Sequence, residues 1–229
     1  MYEPGLNVIT VEEGDGPQTP TKPRRPENYA RSLFHVLSAA AALVMLRLVS
    51  HREWLVAASG TLALAAWSLE ILRRVHPPAN VHLMRFFSRI AHAEEEHKVN
   101  SSTWYLTALV GLALFAPIRS AELGVVVLGL ADPAAGFIGR RIGRTKIRKN
   151  RSLEGTLGFF AVGMAAAFVL LIVFHSLPLS AMLAIAAVAS AAGALIELAT
   201  IRLDDNFTIP VTVAVAAASF ERVLHTVSL

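Results

Sequence analysis

Asp132-Pro133-Ala134-Ala135-Gly136, the basic run Arg140-Arg141-Ile142-Gly143-Arg144-Thr145-Lys146-Ile147-Arg148-Lys149-Asn150-Arg151, and then Ser152-Leu153-Glu154-Gly155-Thr156 form the stretch that decides how this chain folds. It starts inside an apolar segment of membrane length and leaves it through seven cationic side chains. It then enters the next apolar segment past a second carboxylate. A charge in lipid is costly, so an acid inside a span beside a cation cluster marks a functional site. The surrounding composition agrees with a membrane setting. Of 229 residues, 54% are hydrophobic and only 17% are charged, where a soluble domain carries about 25%.

Working outward, apolar runs long enough to cross ~30 Å of hydrocarbon recur along the chain. They predict spans at 33–49, 54–72, 103–118, 121–139, 156–175, 179–198 and 207–227, an all-α polytopic membrane fold of about seven helices. Residues 1–28, rich in proline and glycine, read as a disordered, uncleaved tail ahead of a membrane domain at 29–229. No cysteine is present, which removes disulfides and thiolate metal sites from consideration. No repeat of 20–50 residues is visible.

The cations orient the spans. Of the 21 Lys and Arg, 17 fall in the tail and in the connections 73–102, 140–155 and 199–206, and four (Arg47, Arg52, Arg119, Arg222) fall on the other side. The positive-inside rule places the N-terminus and the basic connections in the cytoplasm. Glu70, Asp132, Glu154, Glu197, Asp204 and Asp205 then gather at the cytoplasmic edge, on several helix ends. Glu154 and Asp205 are equally well read as capping acids. Asp132 is different, because about eleven residues, or ~16 Å of helix, separate it from the outer boundary.

Asp132-Pro133 also resembles a helix start, which predicts a break in the span at this point. Gly136, Gly139 and Gly143 follow Asp132 at offsets of four, seven and eleven, on one helical stripe. Such a stripe serves close helix packing or lets backbone approach a phosphate; the neighbouring acid and cations favour the phosphate. The basic run, likewise, is either a topology determinant near anionic lipid or a clamp on a polyphosphate. Walker A is absent, since Gly143-Arg144-Thr145-Lys146 lacks its spacing, and the histidines show no zinc spacing.

Four ordered stretches resemble the CTP-dependent lipid kinase family, which includes dolichol, phytol and CTP-dependent diacylglycerol kinases and is related to the CDP-diacylglycerol synthases. They are Arg31-Ser32-Leu33-Phe34-His35; Asn100-Ser101-Ser102-Thr103-Trp104-Tyr105; Ala131-Asp132-Pro133 through Gly143 with Asn150-Arg151-Ser152-Leu153-Glu154-Gly155-Thr156-Leu157-Gly158; and Asp204-Asp205-Asn206-Phe207-Thr208-Ile209-Pro210. Many family members have Gly-Asp where this chain has Ala131-Asp132.

The resemblance implies transfer of a phosphoryl group from CTP to the hydroxyl of a membrane lipid at the cytoplasmic face. It implies Mg²⁺ or another divalent cation held by Asp132, Asp205, Glu197 and Asp204. The triphosphate is expected at Gly136, Gly139, Arg140, Arg141, Gly143, Lys146, Lys149, Ser152, Gly155 and Thr156. Asp132, Glu154 and His35 are the candidate catalytic groups, and Arg31, Glu70, Asn100, Asn206 and Pro210 are further motif positions. A homodimer is expected by likeness to the synthases, and no nucleic-acid partner is expected. Two other readings stay open: a cytidylyltransferase that forms a CDP-lipid, and a membrane transporter.

Overall fold

The structure, a computed structural model, describes residues 29–76, 78, 99–148, 151–199 and 203–227, and within these not the side chains of Ala30, Arg31 and Val227. The expected tail, Lys149, Asn150 and the greater part of the 73–102 connection lie outside it.

Seven helices form among the described residues: α1 (Tyr29–Leu48), α2 (Arg52–Val75), α3 (Ser101–Phe115), α4 (Ile118–Arg141), α5 (Leu153–Phe174), α6 (Leu179–Leu198) and α7 (Asp205–Val227). Five of them, α2 and α4 to α7, are long and apolar enough to cross a membrane, while α1 and α3 are shorter apolar helices. At 15 residues, α3 spans only ~22 Å. The fold is the expected all-α membrane bundle with one addition, an antiparallel hairpin of β1 (Lys146–Arg148) and β2 (Arg151–Ser152) inside the basic run.

Short connections make most sequence neighbours run antiparallel, and the Asn100 amide donating to Glu70 joins the finish of α2 to the start of α3, so the starts of α1, α3, α5 and α7 share one end with the finishes of α2, α4 and α6. That end carries the basic run and is called the basic end here. The starts of α3, α5 and α7 there are capped by side chains, as their sequences dictate. Asn100 accepts from the Ser102 amide at 2.8 Å, Ser152 from the Gly155 amide at 3.2 Å, and Asp204 from the Asn206 amide at 2.9 Å. At the opposite end, α4 and α6 start after Pro117 and Pro178 with no side-chain cap.

The hub of the bundle is α4, packed on α1, α5 and α7, with an unbroken buried run from Ser120 to Val125. Small residues let the helices close on one another, as membrane packing requires. A Cβ at Gly124 would strike the Pro210 carbonyl oxygen of α7, and one at Gly129 would strike Ala39 of α1.

The expected break at Asp132-Pro133 does not occur, because α4 runs through Pro133 to Arg141. Asp132 is therefore a mid-helix side chain and not a cap. The cost of Pro133 is one missing donor to the Gly129 carbonyl, which a helix packed among neighbours tolerates in a membrane.

Candidate functional site

Three carboxylates and one guanidinium meet at the basic end. Arg151, the last cation of the basic run, sits on β2 immediately before the Ser152 cap, so the hairpin turns it back over the bundle. Its Nη1 donates to Glu197 Oε1 at the finish of α6, and its Nη2 to Asp205 Oδ2 at the start of α7. Asp132 of α4 lies close enough to bear electrostatically on both carboxylates. The Glu197 side chain is only 3% exposed, and its Oε2 is buried with no hydrogen-bond partner among the described residues. Nearby on α5, Thr156 Oγ1 is also buried and lacks a partner there. Among the described residues, three acidic groups share this one guanidinium. A desolvated oxygen with nothing to bind makes that arrangement expensive unless a cation joins it.

Around this patch lies a cationic rim. Arg140, Arg141, Arg144, Lys146 and Arg148 are all exposed. The Arg140 guanidinium lies over Gly136, where a Cβ would come within 3.0 Å of its Nη1. The Arg141 guanidinium stacks on the Phe137 ring, 5.6 Å from its centroid.

Several expected site residues have structural work. Gly139, Gly143 and Gly155 pack around the Ser152 hydroxyl: a Cβ at Gly155 would lie 3.1 Å from the Ala135 carbonyl oxygen, and one at Gly139 would lie 3.2 Å from Ser152 Oγ. Space at these three positions is taken by the α4–α5 contact, which is the packing use of a small-residue stripe. Both Glu154 oxygens accept from the Thr145 amide, at 3.0 and 3.3 Å, and so fasten the hairpin to α5.

Asp204 also bears electrostatically on Asp205, but both of its oxygens are engaged. Its Oδ1 accepts from the Asn206 amide and side chain, and its Oδ2 accepts from the Ser101 hydroxyl at 3.0 Å. Among the described residues, no group of three or more His, Asp and Glu side chains converges as a metal cage. Arg151 takes the position between Glu197 and Asp205. What remains for a hard cation is Asp132 with the open Glu197 oxygen. That donor set fits an ion which takes one or two carboxylates and completes its shell with water and phosphate oxygens, as Mg²⁺ does.

The other motif positions frame the patch. Glu70, 4% exposed, pairs with Arg73 at 2.8 Å and accepts from the Asn100 amide at 2.8 Å, joining the finish of α2 to the start of α3. Asn206 is buried and bonded to Asp204. Pro210 is fully buried against Gly124. His35 is half-buried on α1 beside Gly129, whose Cβ would lie 3.7 Å from the His35 carbonyl oxygen. That is about one turn of α4 from Asp132. Arg31 belongs to α1, but its side chain is outside the description.

Sequence reasoning counted Arg151 as one cation in seven and passed over Glu122. Glu122 lies at the start of α4, at the opposite end, and is fully buried. It takes Arg47 at 3.2 Å on one oxygen and His175 at 2.6 Å on the other. Arg119 donates to His175 Nδ1 at 3.4 Å and pairs with Glu221 at 3.2 Å. The available signal for Arg151 was its position directly before a Ser cap. For Glu122 it was a carboxylate just inside an apolar span.

Two curated proteins share this sequence in part. The chain is 28% identical over 103 residues to CTP-dependent diacylglycerol kinase 1 of Saccharomyces cerevisiae, covering 44% of this chain and 36% of that protein. It is 30% identical over 98 residues to CTP-dependent diacylglycerol kinase 1 of Eremothecium gossypii, covering 42% and 31%. The likeness to the CTP-dependent lipid kinase family holds. It stands at the level of family, and the matched stretch spans about a third of the length of these relatives. No family model and no solved structure matches the chain.

Proposed function

We propose that this chain is a CTP-dependent kinase that phosphorylates the hydroxyl of a membrane lipid, with diacylglycerol as the first acceptor to test. The observation that carries this is the patch in which Arg151 is shared by Glu197 and Asp205 beside Asp132, three acidic groups to one guanidinium among the described residues, next to a run of exposed cations. Phosphoryl transfer asks a protein for positioning and charge neutralisation more than for covalent chemistry. A divalent cation arriving with the nucleotide supplies neutralisation on the phosphate oxygens, and Asp132 and Glu197 are the residues to hold it. Arg140, Arg141 and Lys146 face the triphosphate as exposed cations. The Thr156 hydroxyl lies at the α5 start, where helix amides favour an anion.

In this reading the lipid oxygen bonds to the γ-phosphorus of CTP, the bond from that phosphorus to the β-bridging oxygen breaks, and CDP leaves. Asp132 and His35 are the candidates to take the hydroxyl proton, since Glu154 is committed to Thr145. The excess of Lys and Arg in the connections at this end supports a site facing the cytoplasm.

Purified protein incubated with Mg²⁺, γ-labelled CTP and diacylglycerol is expected to release CDP and put the label on the lipid. Release of pyrophosphate with a CDP-lipid would replace this reading by that of a cytidylyltransferase. Ion flux across vesicles without use of any nucleotide would replace it by that of a transporter.

A further inference from the structure

A dry slot runs along one flank of the bundle. α1 rests on α4, and α2 rests on α3; between the two pairs lies a cavity of about 270 Å³. Its inner wall is buried, with Ala42 from α1, Leu55 from α2 and Tyr105 and Leu112 from α3. Its rim is exposed, at Met45 and Leu62. The polar atoms of the wall bond to backbone: Ser59 Oγ donates to the Leu55 carbonyl at 2.7 Å, Ser38 Oγ to the His35 carbonyl at 3.0 Å, and the Tyr105 hydroxyl to the Ser38 carbonyl at 3.4 Å. Nothing in the wall asks for a polar ligand.

Two features name the occupant. Along α3 the lining extends from Ser102 to Ala113, a rise of ~16 Å, or about half of a ~30 Å hydrocarbon layer. The slot therefore has the length of one lipid chain and follows most of α3, from the basic end to Ala113, whose carbonyl accepts from Arg52 at the opposite end at 2.7 Å. Its basic end stops at Ser102, next to Ser101, whose hydroxyl donates to Asp204 at 3.0 Å beside Asp205 of the carboxylate patch. A chain seated here has its polar head at the basic end, next to Ser101 and Asp204, and its tail running toward the opposite end.

We infer that the slot between α1 and the α2–α3 pair binds one hydrocarbon chain of the acceptor lipid and holds its hydroxyl at the carboxylate patch. This rests on the kinase reading for the identity of the acceptor, but the slot is tested by binding as well as by turnover. Single-chain occupancy also makes the slot a determinant of acceptor chain length.

The first arm fills the slot. Ala58→Phe from α2 and Ala41→Phe from α1 both line it, and Leu64→Phe on the outward face of α2, 71% exposed at that position, is the control. Each is assayed with long-chain and with short-chain diacylglycerol. The filled variants are expected to raise KM for the long-chain lipid roughly tenfold, ~1.4 kcal/mol, and to leave the short-chain lipid and the control within about twofold. Equal losses on both lipids, or no loss, would overturn the inference.

The second arm uses a diacylglycerol with a photoreactive group in its chain, on the unsubstituted protein in phosphatidylcholine vesicles. Adducts on the slot wall, displaced by unlabelled diacylglycerol, support the slot. If the same protein turns over no CTP, the kinase reading falls and the slot stands. Adducts spread over outward faces, insensitive to competition, or a slot covered by a second copy or by the chain's own tail, overturn it.

Discussion

Both ends of this bundle bury carboxylates and both bring arginine to them, yet they are built to opposite purposes. At the opposite end, Glu122 has a partner on each oxygen, and the network of Arg47, Arg119 and His175 with Glu122 and Glu221 supplies at least as many basic groups as acidic ones. The Arg47 guanidinium further stacks on Phe174, 4.5 Å from the ring centroid. Such a cluster fastens α1, α4, α5 and α7 to one another, although Glu221 Oε1 is also buried without a hydrogen-bond partner among the described residues. At the basic end, a single Arg151 serves Glu197 and Asp205 with Asp132 alongside, and Glu197 Oε2 stays bare. The surplus of acidic groups over basic ones, more than the burial of charge itself, separates a site from a staple.

The sharpest way to break this comparison is to remove one carboxylate from each end. Asp132→Asn is expected to lower CTP turnover by about a thousandfold, the order found when a transition-state electrostatic contact is lost, while the protein still inserts and folds. Retention of a tenth of the activity would remove Asp132 from the chemistry. Glu122→Gln is expected to act the other way. Losing the buried carboxylate's hydrogen bonds to Arg47 and His175 costs ~2 kcal/mol, read as a lowered Tm in detergent. Turnover per folded molecule should stay within about twofold; a rate loss with unchanged Tm would contradict the division of labour.

Arg151→Lys sharpens the basic end further. One ammonium cannot reproduce the fork that serves two carboxylates on different helices, so a loss of roughly tenfold to a hundredfold in kcat is expected. The smallest effect is expected at the rim. Lys146→Ala removes one exposed cation and should raise the KM for CTP only a few-fold, with a difference that fades as salt screens the charge.

Much of this architecture is legible in the chain itself. The predicted span 179–198 coincides with α6, and 54–72 lies within α2, because an apolar run of membrane length has few other ways to satisfy its backbone. The caps expected at Glu154 and Asp205 are displaced by one or two residues, to Ser152 and Asp204. Less legible was whatever depends on a distant partner. Pro133 reads locally as a break, and only the packing of α4 among its neighbours shows a continuous helix. Arg151 looks like its six neighbours until the β-hairpin aims it at residues 46 and 54 positions away. The glycine stripe after Asp132 has two uses, and the close contact with Ser152 and Gly155 shows packing at Gly139 and Gly143.

The central claim is that the acidic cluster around Arg151 is a cation–nucleotide site, and binding tests it more directly than rate does. CTP titrated calorimetrically into the purified protein, with and without Mg²⁺, and into Glu197→Gln, should bind the unsubstituted protein only when Mg²⁺ is present. Affinity should fall roughly tenfold or more, ~1.4 kcal/mol, in the variant. Equal CTP affinity with and without the divalent ion, undisturbed by loss of the Glu197 charge, would contradict the account.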